Sequence, residues 1–216
     1  MRSRCDEAGE DELAPLPATP SSLDALRASM SQCRRCPLSL GRAHVVVGEG
    51  SPTARFVVIG EGPGREEDLS GRPFVGRSGR LLRSLLGEIW PGALERGDIY
   101  LTNIVRCRPP SNRTPRRAEV QSCSLHLKSE LELLAPLVIV TVGLTATRAM
   151  VGLTSPLREL RGRLIEVEGA VVVPTYHPAA ALRGGKAIVD CIEADLRSAH
   201  GVVLGESDRV QGEVRA

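Results

Sequence analysis

Residues 54–82, ARFVVIGEGPGREEDLSGRPFVGRSGRLL, hold the pattern from which the rest of the chain can be read. The apolar run from Phe56 to Ile59 predicts a strand. It breaks at Gly60 into the turn GEGPG, passes through a charged patch and restarts as a helix near Ser78. A strand, turn and helix at the edge of a parallel sheet make a crevice for ligands. In that turn Gly60 and Gly62 let backbone come close to a ligand, Pro63 stiffens the loop and Glu61 adds a carboxylate. A tight loop without chemistry is the simpler reading, since GEGPG is neither the dinucleotide fingerprint nor a P-loop. Phe74, in RPFVG, adds weight. With only two Phe, two Tyr and one Trp in the chain, an aromatic in a Gly/Arg-rich loop is either a buried staple or a platform for stacking a base.

Outward from this segment the chain alternates strands and helices. Ser22 caps a helix carrying Leu23, Leu26 and Met30 on one face. Leu81, Leu82, Leu85 and Ile89 repeat at helical spacing, and Asp98 to Val105 reads as a strand interrupted by Asn103. A helix follows from about Arg117 to Leu134, then an apolar run from Leu137 to Val142 that suits a strand buried on both faces. RLIEVEG and AVVVPT read as a hairpin, and a last helix runs from about Lys186 to His200. The expected domain is residues 21–203, between an acidic, Pro-rich leader (1–20) and a polar tail (204–216). At 216 residues this is one α/β domain with length enough for a sizeable core.

A balance of 28 Lys+Arg against 26 Asp+Glu gives no strong nucleic-acid footprint by itself. The arginines from Arg106 to Arg117, with Arg65, Arg72, Arg77, Arg80 and Arg83, make either a basic lip around a site or a solvated face. No apolar stretch approaches the roughly 20 residues of a membrane span, and no signal-peptide core opens the chain. The expectation is a soluble, intracellular (cytoplasmic) protein.

Six cysteines in such a chain argue for metal or redox chemistry over a disulfide scaffold. Cys33-Arg34-Arg35-Cys36 directs two thiolates the same way and alone would serve as a redox pair. Cys107, at the end of the strand NIVRC, and Cys123, on the next helix, extend it to a four-thiolate set for zinc or an iron-sulfur group. Cys5 and Cys191 stand apart. His177, in YHPAAALR, follows a strand and precedes a helix, the position of a catalytic loop, although a lone His also serves as a structural hydrogen-bonder. Asn103, similarly, is either a core amide or a group that reads a ligand edge.

Taken in order, Cys-x-x-Cys-Pro-Leu, GEGPGREED, GRPFVGRSGRLL, TNIVRCRPPSNRTP, Cys123 and HPAAALR resemble the family 4 uracil-DNA glycosylases, the iron-sulfur branch of the uracil-DNA glycosylase superfamily, over residues 25–200. The resemblance implies a three-layer α/β/α sandwich around a mainly parallel sheet. It implies a 4Fe-4S cluster on Cys33, Cys36, Cys107 and Cys123, structural in role. The implied reaction is base excision repair: deoxyuridine is flipped out of DNA and its N-glycosidic bond hydrolysed, leaving an abasic site. Phe74 would stack on uracil and Asn103 would match its N3–H donor and O4 acceptor, beside the backbone of Gly60 and Gly62. His177 would donate to the anion developing at O2. Glu61 would steady the cationic sugar and activate water, with Glu67 and the turn backbone as other candidates, because the best-known branch carries an Asp where Gly62 stands here.

Asn112 and Arg113 are implied strand or phosphate contacts, with Leu182 and Arg183 beside the flipped base. Ala179, Ala180 and Ala181 leave Leu182 as the one wedge, so single-stranded DNA is the expected preferred substrate, with paired DNA also cut. A monomer is expected. The rival readings are a uracil-DNA or nucleotide-binding module with the cluster and little catalysis, and an electron-transfer protein, which would leave GEGPG, PFVG and HPAAAL without a purpose.

Overall fold

The run after Arg55 forms β1 (Phe56–Gly60), the centre of a sheet completed by β2 (Ile99–Asn103), β3 (Val138–Val142), β4 (Ile165–Val167) and β5 (Ala170–Thr175). The computed structural model describes residues 20–205. Residues 1–19 and 206–216, which hold nearly all of the expected leader and of the expected tail, lie outside the described residues. The strand order is β2-β1-β3-β5-β4. β1 pairs in parallel with β2 and β3, and β3 with β5; β4 alone runs antiparallel, as the edge partner of β5. The expected hairpin is thus present, at the sheet edge.

The helices are α1 (Leu23–Ser31), α2 (Arg65–Ser70), α3 (Arg77–Ile89), α4 (Ala93–Arg96), α5 (Arg117–Leu134), α6 (Leu144–Val151), α7 (Leu157–Leu160), α8 (Pro178–Gly184) and α9 (Lys186–Leu204). Alternate strand residues face opposite layers, because successive side chains of a strand point to opposite faces. Val57, Ile59, Tyr100, Ile139 and Val172 pack with Leu26 and Met30 of α1, Leu127 and Leu134 of α5 and Val151 of α6. Phe56, Val58, Leu101, Val140 and Val173 pack instead with Leu82, Leu85 and Leu86 of α3 and Ile192 and Leu196 of α9. Each such side chain, fully removed from water, contributes about 1.5–3 kcal/mol. The result is the expected three-layer α/β/α sandwich.

Three local features differ from the sequence reading. The charged patch after GEGPG is helical, α2, because Glu67 caps it by accepting from the Gly64 amide at 3.1 Å. The strand containing Asn103 stops there instead of at Val105 or Cys107. Its partner β1 ends opposite it at Gly60, so no ladder remains, and the Ile104 amide closes the pairing on the Gly60 carbonyl at 2.9 Å. The last helix runs on to Leu204 and stops at Gly205 in the left-handed conformation. Elsewhere the expected limits hold: α5 ends at Leu134, where Pro136 pushes Ala135 out of the helical region to φ 43°.

Candidate active site and cysteine pocket

In a parallel sheet all strands deliver their C-terminal ends to one edge. The chain leaves β1 for β2 on one side and returns to β3 on the other, so the crevice opens between β1 and β3. GEGPG follows β1, Asn103 ends β2, and His177 follows β5 by two residues.

Gly60 and Asn103 are register partners. A Cβ on Gly60 would lie 2.5 Å from Asn103 Oδ1 and 2.7 Å from Phe74 Cζ, so only glycine lets this amide and this ring close on the backbone together. Asn103 is buried, and so is Phe74. Phe74 has φ 55°, a left-handed conformation that costs a bulky residue about 1–3 kcal/mol and marks functional loops. The loop is held from outside. Arg83 donates to the Phe74 carbonyl at 3.1 Å and the Pro73 carbonyl at 2.8 Å, and pairs with Glu49 at 3.1 Å; Arg72 takes the same carboxylate at 2.9 Å. The two readings of Phe74 therefore meet in one residue: the ring is packed away, and it is packed beside Asn103.

Glu67 braces the two loops. One carboxylate oxygen accepts from the Gly64 amide at 3.1 Å in GEGPG, the other from the Gly76 amide at 2.7 Å in PFVG. Glu61 is half-buried at the head of the turn; its carbonyl accepts from the Val105 amide at 3.4 Å, while its carboxylate makes no hydrogen bond to a described residue. Gly62 stands where a Cβ would press to 2.7 Å on Val105, which fits the turn against the chain beyond β2.

His177 is the N-cap of α8. Its Nδ1 accepts from the Ala179 amide at 3.1 Å, so the proton of the neutral ring sits on Nε2, which is left as a donor. Burial holds the imidazole below its ordinary pKa and Arg183 adds to this, against the opposing pull of the Glu61 and Glu67 carboxylates. Neutral His177 is thus an Nε2–H donor within electrostatic reach of the GEGPG carboxylates.

The remaining candidates lie around this edge. Leu182 is 52% exposed on α8, next to exposed Arg183. Asn112 is exposed at φ 54° and accepts from Arg108 at 2.7 Å. Arg113 makes a two-pronged pair with Glu119, at 2.6 and 2.8 Å, and so helps cap α5. Arg106, read with the basic lip, is instead 2% exposed and internal. Its guanidinium finds Glu130 at 2.6 Å, and a buried arginine is tolerated only with such a partner. The sequence held a signal for this: Glu130 lies on the apolar stripe Cys123, Leu127, Leu134 of α5, where a carboxylate requires a buried cation or hydroxyls.

On the opposite side of β2 the cysteines converge. Cys33 follows α1, Cys36 caps the turn Pro37–Leu40, Cys107 follows β2 and Cys123 sits on α5. All four line one small pocket, together with Arg42, Arg106 and His126. Burial pushes the Cys36 and Cys107 thiols up, and Cys123 up to about 11. Arg42 counters this by donating to Cys107 Sγ at 3.2 Å, while His126 Nε2 lies 3.3 Å from Cys33 Sγ. Among the described residues no three His, Cys, Asp or Glu side chains are arranged to hold a single metal ion. Arg42 and His126 carried no sequence signal for this pocket, because nothing in their spacing ties them to the Cys-x-x-Cys pair.

This crevice, with a glycine-rich turn, an asparagine at a strand end and a histidine-capped helix on one sheet edge, lies where open α/β sheets bind their ligands. The chain belongs to the uracil-DNA glycosylase superfamily, whose family model matches residues 47–197. It is 46% identical over 156 residues to a type-4 uracil-DNA glycosylase of Thermotoga maritima, covering 71% of this chain and 80% of that one. It is 40% identical over 169 residues to the type-4 enzyme of Archaeoglobus fulgidus, covering 74% and 83%. A type-5 uracil-DNA glycosylase of Pyrobaculum aerophilum is more distant, 32% identical over 166 residues.

Proposed function

We propose that this chain is a DNA repair hydrolase that excises uracil from DNA by cleaving the N-glycosidic bond of deoxyuridine. The observation that carries the reading is the meeting of Gly60, Asn103 and Phe74 at one sheet edge, with the Nε2–H of His177 two strands away.

The flipped base stacks on Phe74, and the Asn103 amide pairs with its N3–H and O4. Cytosine, with an unprotonated N3 and an amino group, mismatches that amide, and unpaired polar groups in such a site cost orders of magnitude in rate. Bond cleavage leaves negative charge on uracil O2 and positive character on the sugar. His177 donates through Nε2 to that oxygen, and its neutral state is useful here: the donor strengthens as the anion forms without giving up a proton. Glu61 faces the cationic sugar and orients or deprotonates the attacking water. Glu67, with both oxygens on backbone amides, holds the turn and the Phe74 loop in register.

The four cysteines are read as ligands of a 4Fe-4S cluster. The fit rests on the donor set, four sulfurs around one cavity with Arg42 beside Cys107 to offset thiolate charge. Bound there, the cluster ties α1, the segment after β2 and α5 together and supplies no chemistry to bond cleavage. Single-stranded DNA is the preferred substrate, because Leu182 is the only bulky wedge in an alanine-rich helix, and Asn112 and Arg183 line the strand's path. One flipped base needs one pocket, so the monomer suffices. Among the described residues no helix is long and apolar enough to cross a membrane.

The test is uracil release from a labelled single-stranded oligonucleotide, with iron quantified on the same preparation. Wild type should leave alkali-labile abasic sites, and His177→Ala should lose about 10²–10³ in rate. Uracil-DNA binding by an iron-replete, folded wild type without release would replace this reading with that of a binding module.

A further inference from the structure

Arg106 has no part in the chemistry above, yet its guanidinium is buried directly beneath the residue that reads the base. One terminal nitrogen donates to the main-chain carbonyl of Asn103 and to the Thr102 hydroxyl. The other donates to Glu130 at 2.6 Å. Glu130, itself fully buried, is held in turn by Tyr100 Oη and Thr102 Oγ1, both at 2.8 Å. The main chain of Arg106 is also committed. Its carbonyl accepts from the Val46 amide at 2.8 Å, and its amide donates to the Cys123 sulfur.

The position explains why such a device is needed. Asn103 is the last residue of β2, and beyond it the ladder to β1 is reduced to the Ile104 amide on the Gly60 carbonyl and the Val105 amide on the Glu61 carbonyl. Tyr100 and Thr102 point to the α5 face, whereas Asn103 points to the Phe74 face, so the carbonyl at 103 is a polar handle by which the α5 layer holds the reader. A freely turning amide would accept cytosine as readily as uracil.

We propose that Arg106, anchored by Glu130, is a positioning residue for base selection: it fixes the backbone at Asn103 and thereby the plane of the amide that distinguishes uracil from cytosine. This rests on the proposed uracil reading of the crevice. Arg106→Lys is the informative variant, since the ammonium keeps the charge opposite Glu130 but cannot fork to Thr102, the Asn103 carbonyl and the carboxylate together. Tyr100→Phe is the control, because it removes a bond to Glu130 on the side away from Asn103.

Binding is measured to single-stranded oligonucleotides carrying 2′-fluoro-2′-deoxyuridine or 2′-fluoro-2′-deoxycytidine, which resist cleavage, alongside iron content, melting and uracil release. With iron and melting profile retained, Arg106→Lys should lose about tenfold or more of its preference for the uracil probe and of its excision rate, and Tyr100→Phe should keep both. In an Asn103→Ala background, Arg106→Lys should cost nothing further, because the two act as one unit. Undiminished preference in Arg106→Lys, or losses that multiply in the double variant, would overturn the proposal. Should Arg106→Lys fail to fold, Glu130→Gln, which keeps hydrogen-bonding partners for Tyr100 and Thr102, must show the same loss of preference. A wild type that releases no uracil refutes the enzyme reading alone; the binding comparison still decides the role of Arg106.

Discussion

Replacing Gly79 by Ala separates the position of Phe74 from the stability of the fold. Gly79 lies in the first turn of α3, and a Cβ built there would meet the Phe74 carbonyl carbon at 2.3 Å and its Cα and carbonyl oxygen at 2.4 Å. Carbon atoms rest at about 3.5–4.0 Å, so the PFVG loop must retreat by about 1 Å. The obstacle is backbone, which no rotamer change relieves. Overpacking of this kind costs about 1–3 kcal/mol, while alanine in a helix interior returns about 1 kcal/mol over glycine. The net destabilisation is therefore at most about 2 kcal/mol, a melting shift of a few degrees for a domain of this size. Catalysis should suffer far more, because a misplacement of about 1 Å in a group that positions the reacting base costs about 10² in rate. Single-turnover uracil release by Gly79→Ala, with the melting curve measured on the same sample, should show a nearly native fold and a rate down about a hundredfold. A folded variant with wild-type release would refute the placement of Phe74 as the stacking platform.

The remaining expectations concern charge and the wedge. His177 is held neutral by burial, so the rate should stay level as pH rises from about 6.5 to 8.5; a fall through about 6.5 would mean that the cation is the working form. The unfolded ring protonates near its ordinary pKa of about 6.5 and the folded ring only below it, so this group's stabilising effect is lost as pH drops below about 6.5, a trend readable from melting against pH. Glu67→Gln sets an amide NH2 against a backbone N–H and should cost about 1–3 kcal/mol of stability along with activity; lost activity at unchanged melting temperature would restore Glu67 as the water-activating group. Leu182→Ala should lower excision from paired DNA several-fold more than from single strands, and equal losses on both would remove Leu182 from the flipping step.

Much of this was legible because the strands are buried on both faces and therefore spell themselves as apolar runs: Phe56 to Ile59 and Leu137 to Val142 became β1 and β3 within a residue. His177 was legible from its place between a strand and a proline-started helix, although the role of Nδ1 as a cap, which decides the tautomer, is visible only in the geometry. What escaped was long-range pairing. Arg106 looked like one member of a basic run, and only the fold brings it to Glu130, 24 residues away, inside the protein. Phe74 left two readings open because local sequence cannot say whether a ring in a loop packs inward or faces a ligand. The structure answers that it is packed inward, beside the end of β2.

The carboxylates of this region can be told apart by what each already holds. Glu49 is taken by Arg72 and Arg83, Glu67 by the amides of Gly64 and Gly76, Asp68 by the amides of Ala43 and His44, Glu119 by Arg113 and the Arg116 amide, and Glu130 by Arg106, Tyr100 and Thr102. A carboxylate whose lone pairs are already filled by fixed donors has none left to orient a water. The Glu61 carboxylate makes no hydrogen bond to a described residue and sits at the head of the turn, close enough to His177 to oppose the lowering of its pKa. On the proposed reading, Glu61, displaced by a single position from the Asp of the best-known branch, is the acid with its carboxylate left to meet a water. Glu61→Gln, which keeps the shape and removes the charge, should cost about 10²–10⁴ in single-turnover rate with no change in melting temperature. A loss under tenfold would leave the backbone of the turn to orient the water.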